Sequence, residues 1–85
     1  MQPSPTAAAT RSSVAAVIPA YLEEKHVGDV VLRTLAFLDQ VLVVDDGSND
    51  STGENARGAG AEIIVHAQNL GKGESIKAGL RYWME

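Results

Sequence analysis

The sequence predicts an α/β fold, a parallel sheet of three strands with helices on its faces. Three observations support it. Short apolar runs alternate with stretches of helical period, and such alternation demands crossovers between parallel strands. The runs are apolar at successive positions rather than alternate ones, as strands covered on both faces are. The turn-forming and chemically unusual residues gather just after each run, where ligands bind in open parallel sheets.

Each element can be justified in order. Met1 to Ser13 is rich in Pro, Ala, Ser and Thr and lacks the apolar centre of a signal peptide, so residues 1–13 are expected to be a flexible tail. The folded domain is expected over 14–85. Val14 to Ile18 forms the first strand, which Pro19 should end because proline lacks a ladder donor. Val27, Val30, Val31, Leu35 and Leu38 recur at helical spacing behind Glu23 and Glu24, acids that suit an amino-terminal dipole. Val41 to Val44 forms the second strand and runs into the turn Asp45-Asp46-Gly47-Ser48-Asn49-Asp50. Ser51 or Asp50 can cap a short helix over about 52–57, closed by Gly58 and Gly60. Ile63 to Val65 forms the third strand and Asn69 to Gly73 a loop. Ile76, Leu80, Trp83 and Met84 then mark the apolar face of a last helix.

Composition narrows the function. The chain has 85 residues, a net charge of −4 and no cysteine. Its cations are scattered until the last helix, which excludes general nucleic-acid binding, a role that needs a clustered basic face. The longest apolar run is too short to span a bilayer, and the lack of cysteine fits a reducing compartment. His26 and His66 show no metal-ligand spacing and are expected at the surface. A core this small is marginal without disulfides or metals, and an open first-strand edge would invite self-association.

Three loops carry candidate chemistry. Asp45 and Asp46 can accept hydrogen bonds from a base or ribose or hold a cation, or they can initiate the turn and cap the next helix. Tyr21 can stack on a nucleobase and Glu23 accept from it; both can equally be interface and first-turn residues. Gly71-Lys72-Gly73 allows close backbone approach to a phosphate with Lys72 as a point charge, or makes a plain turn. A Walker loop is excluded because His66 stands where its first glycine belongs and Gly73 follows the lysine. A dinucleotide fingerprint is excluded because Pro19 to Glu24 contains no glycine. A phospho-acceptor receiver domain fails for want of an acid pair after the first strand and an aspartate after the third.

Taken together, Val17-Ile18-Pro19-Ala20-Tyr21-Leu22-Glu23-Glu24, Val43-Val44-Asp45-Asp46-Gly47-Ser48-Asn49-Asp50-Ser51-Thr52 and Asn69-Leu70-Gly71-Lys72-Gly73 resemble, in order and spacing, the family 2 glycosyltransferases, especially the polyprenyl- or dolichyl-phosphate sugar transferase type. The resemblance implies part of a glycosyltransferase A-type, Rossmann-like fold that binds a nucleoside-diphosphate sugar for transfer to an acceptor such as a polyprenyl phosphate. Carried over, Pro19 and Tyr21 line the base pocket, Ala20 lies among the nucleotide-binding residues and Glu23 contacts the nucleoside. Asp46 accepts from the base, Asp45 supports the ribose or the loop, and Gly71 and Lys72 border the nucleotide. Leu22 stands where the family usually has asparagine. The family's later Asp-x-Asp motif, which holds Mg2+ or Mn2+ and the diphosphate, and its catalytic base are not among these residues. The expectation is therefore an inactive fragment that needs a downstream catalytic half, located in the cytoplasm or at the cytoplasmic membrane face. A non-catalytic nucleotide-binding or interaction module is the alternative.

Overall fold

The computed structural model describes residues 15–84; the tail expected over 1–13 and the domain limits at Val14 and Glu85 lie outside them. Strands β1 (Ala15–Ala20), β2 (Gln40–Asp45) and β3 (Glu62–Val65) alternate with helices α1 (Val27–Leu35), α2 (Thr52–Gly58) and α3 (Lys72–Met84). All strands are parallel, in the order β1-β2-β3, with Val17 beside Leu42 and Val43 beside Ile63. The central strand β2 is apolar because neither of its faces meets water: Val41, Leu42, Val43 and Val44 are all buried. The flanking strands β1 and β3 are only partly covered, although their sequences are as apolar.

Alternation along the strands sorts the side chains onto two faces. On one, Ala16, Ile18 and Ala20, Val41 and Val43, and Ile63 meet Val27, Val31 and Leu35 of α1 and Ala56 of α2. Val27 and Val31 are four residues apart, so they stack on one side of the helix. The opposite face carries Val17, Leu42 and Val44, and α3 lies across β1 and β2 there. Gly79 makes that approach possible, because a Cβ at this position would sit 2.4 Å from Val17 Cγ1.

Four expectations are corrected. Pro19 does not end β1, which runs on to Ala20. The Asp46 N–H donates to the Ala20 carbonyl at 2.8 Å, so Ala20 faces β2 and the alternate Pro19 turns its missing donor toward the open edge of the sheet. Lys72 and Gly73 belong to the first turn of α3 rather than to a loop. The face of α3 that packs is also not the apolar one. Ser75 and Gly79 are buried, whereas Ile76, Leu80 and Met84 are exposed, because only small side chains fit between this helix and Val17. Leu38 likewise falls beyond the end of α1.

Candidate functional site

The loops after the three strands meet at the carboxyl edge of the sheet, held there by hydrogen bonds between residues distant in sequence. The first and second loops are joined by four bonds: Leu22 N–H to Ser48 Oγ, Glu23 N–H to Thr52 Oγ1, Ser51 N–H to a Glu24 carboxylate oxygen, and Asn55 Nδ2 to the Glu24 carbonyl. Asp50, rather than Ser51, caps α2: its Oδ1 accepts from Thr52 N–H at 2.9 Å and from the Thr52 hydroxyl. The same hydrogen bonds hold the Asp50 carboxyl below the usual carboxylate range. Leu22 is forced to φ 55° at the centre of this arrangement. Asparagine tolerates that conformation better than leucine.

Asp46 fastens the third loop. Its Oδ1 lies 2.8 Å from His66 Nδ1 and accepts from Leu70 N–H at 2.9 Å, while Oδ2 accepts from Gly71 N–H at 2.8 Å. An ionised carboxylate only accepts, so Nδ1 carries the proton in this pair. The bond from His66, then that from Leu70, hold the Asp46 carboxyl below the usual range, against the opposing effect of desolvation. His66 is therefore not the surface residue expected; its side chain is 13% exposed. Gly47 seals the junction with φ 82°, since a Cβ there would come within 2.5 Å of the backbone of Gln68 and Asn69. His26 remains exposed.

A cavity of about 320 Å³ opens between these loops. Pro19, Ala20, Tyr21, Glu23, Asp46, Gly71 and Lys72 line it, so seven of the eight residues nominated from sequence share one site. Asp45 does not join them. Its Oδ1 accepts from Ser48 N–H at 3.1 Å, and its Oδ2 side faces Gly53 of α2, where a Cβ would be 2.9 Å away. Consecutive residues leaving a strand point to opposite sides, and the two aspartates divide the work: Asp45 shapes the turn while Asp46 borders the cavity. Asn69 and Ser75 complete the lining. Ser75 went unnoticed in sequence because a serine inside a helix carries no signal of its own.

The cavity combines two carboxylates, Glu23 and Asp46, with the ammonium of Lys72 and the half-exposed ring of Tyr21. Such a set can accept from N–H donors, donate to carbonyl or phosphoryl oxygens, and stack on a flat ring. It is not a cation cage. The third loop already makes three hydrogen bonds to the Asp46 carboxylate, Asp45 diverges, and among the described residues no group of three or more His, Cys, Asp or Glu side chains could hold a metal ion. No step through a divalent cation is therefore assigned to these residues. None of the described helices is long and apolar enough to cross a membrane.

The family model for glycosyl transferase family 2 matches residues 15–85. The chain is 37% identical over 70 residues to glycosyltransferase AglJ of Haloferax volcanii, covering 80% of this chain and 22% of that protein. It is 34% identical over 82 residues to a dolichyl-phosphate beta-glucosyltransferase of Drosophila melanogaster, covering 75% of this chain and 25% of that protein. Among solved structures, mannosyl-3-phosphoglycerate synthase from Rubrobacter xylanophilus superposes with a TM-score of 0.71 at 28% identity, over 87% of this chain and 30% of that one. Glucosyl-3-phosphoglycerate synthase from Mycobacterium tuberculosis, solved with Mn2+, uridine-diphosphate-glucose and phosphoglyceric acid, gives 0.69 at 28% identity over 85% of this chain and 30% of that one. The chain thus spans less than a third of the length of each of these proteins, and it superposes on the two solved ones as the three-stranded parallel part of a glycosyltransferase A-type fold. From its first described strand to its last helix, the chain belongs to glycosyl transferase family 2.

Proposed function

We propose that this segment binds the nucleotide of a nucleoside-diphosphate sugar and so forms the donor side of a glycosyl transfer. One observation carries the reading: residues from three separate loops, Tyr21, Glu23, Asp46 and Lys72 among them, converge on a single 320 Å³ cavity at the carboxyl edge of the sheet. Tyr21 offers its ring to the base, a stacking contact worth about 1–3 kcal/mol. Glu23, and Asp46 from its place in the wall, accept from base or ribose donors, and Lys72 answers a carbonyl or phosphoryl oxygen. The uridine-diphosphate-glucose bound by the solved relative supports the same ligand class.

In the transfer itself, the bond between the sugar's anomeric carbon and the diphosphate oxygen breaks and a bond to an acceptor oxygen forms. The names of relatives that act on dolichyl phosphate or undecaprenyl phosphate support a polyprenyl phosphate as acceptor. We assign these residues nucleotide binding alone. Transfer then needs a further catalytic half, supplying the divalent cation site and the base, and the exposed Ile76, Leu80 and Met84 of α3 suit contact with more protein. A cytoplasmic location, at the membrane face for a lipid acceptor, belongs to the same reading.

Calorimetric titration of the purified 85-residue chain with uridine diphosphate and guanosine diphosphate tests it. Saturable binding is expected, weakened by Tyr21→Ala and by Lys72→Ala, with no sugar transferred. Absence of binding to either nucleotide refutes the site, and turnover of a sugar nucleotide refutes the restriction to binding.

A further inference from the structure

Ser75 is a small residue in a place that needs one, but its hydroxyl is not explained by packing. It lies on α3 one turn before Gly79, on the side of the helix that presses against the sheet, and both residues are buried. Alanine would satisfy the steric requirement equally well. The Ser75 Oγ is buried and has no hydrogen-bond partner among the described residues, which makes serine the costlier choice, because an unpaired buried hydroxyl is unfavourable. Native proteins pair the large majority of such groups. The backbone N–H of Ser75 is occupied by the Gly71 carbonyl at 3.1 Å, so the side chain is the only polar group of this residue left to account for as a donor.

Ser75 also lines the 320 Å³ cavity. We infer that the Ser75 hydroxyl is a ligand-binding group that donates a hydrogen bond to the nucleobase of the bound nucleotide, a role that rests on the nucleotide reading above. A turn about one bond, Cα–Cβ, is all that separates possible orientations of Oγ. The base is assigned rather than the diphosphate for two reasons. Ser75 is fully buried between α3 and the sheet, and the flat, uncharged part of the ligand can be desolvated at such depth far more cheaply than a phosphate. Glu23 and Asp46 also border the cavity, and two carboxylates repel a diphosphate but suit the N–H groups of a base. Among the lining residues, Ser75 then joins Lys72 and Asn69 as a donor to a base carbonyl or ring nitrogen.

The experiment compares wild-type chain, Ser75→Ala and Ser75→Cys by thermal unfolding without ligand and by titration with uridine diphosphate and with uridine. Alanine should raise the melting temperature, by roughly 4 °C for the removal of one unpaired hydroxyl in a domain of this size. It should also weaken binding of both ligands about tenfold. Cysteine, similar in size but a poor donor, should share the loss of affinity. Unchanged affinity in the alanine variant, or affinity retained by the cysteine variant, overturns the inference and leaves the nucleotide site standing. A loss confined to uridine diphosphate overturns the assignment to the base. Wild-type chain that binds neither compound overturns the nucleotide reading and this inference with it.

Discussion

The two faces of the sheet are built on different terms. On one, α1 and α2 place Val27, Val31 and Ala56 against Val41, Val43 and Ile18 in a closed apolar core. On the other, α3 approaches with serine and glycine and leaves Ile76, Leu80 and Met84 exposed. The first face makes the fold; the second, where α3 begins beside Asp46 and the third loop, makes the cavity. Close approach by small residues brings Lys72 and Ser75 to the end of β1, which a helix docked through leucines would hold farther away.

Four measurements would break or sharpen this contrast, beginning with the largest expected effect. Gly79→Ala forces a methyl onto Val17 at 2.4 Å and should cost about 3 kcal/mol, the upper part of the usual range for overpacking, read by urea unfolding. An unchanged midpoint would show that α3 is not seated by that contact. Val31→Ala, on the closed face, should cost on the order of 2 kcal/mol through lost burial and the cavity left behind. Leu22→Asn should stabilise the chain by about 1 kcal/mol, because it relieves a φ of 55° at a residue whose side chain is half exposed. Leu80→Ala, on the outer side of α3, should change stability by less than about 0.5 kcal/mol in the isolated chain, and a larger loss would mean that α3 packs through its apolar side after all.

Acid provides a separate probe of the cavity wall. The Asp46 carboxyl is held below its ordinary value chiefly by the hydrogen bond from His66, then by that from Leu70. A carboxylate lowered in the folded state adds stability that is fully present above its unfolded pKa, about 3.9, and is lost as pH falls through the lower folded value. Unfolding midpoints taken from pH 6 downward should therefore fall more steeply below about pH 4 for the wild type than for Asp46→Asn. Parallel curves would remove Asp46 as the fastener of the third loop.

Much of this was legible in the residues, and the failures are instructive. The alternation of strand and helix and the parallel sheet followed from apolar runs and from where the turn residues fall, and the resemblance to the family's three motifs picked out seven cavity residues. The division between Asp45 and Asp46 was available in principle, since neighbours leaving a strand diverge. Pro19 misled because a missing donor ends pairing only on the side that faces a partner strand. The face of α3 misled because hydrophobicity says which residues avoid water, and not how near a helix can come to Val17.

By itself the sequence determined what depends on neighbours within a few positions: the strands, the helices, the turns and the family motifs. Tertiary structure alone decided that Asp46 would be paired with His66, twenty residues away, and clasp Leu70 and Gly71. It also decided that Ser75 would be buried beside a cavity and that Ile76 and Leu80 would stay exposed. The physical reason is that periodicity records local conformation, whereas a hydrogen-bond partner or a packing distance is fixed only when segments far apart in the chain are brought together.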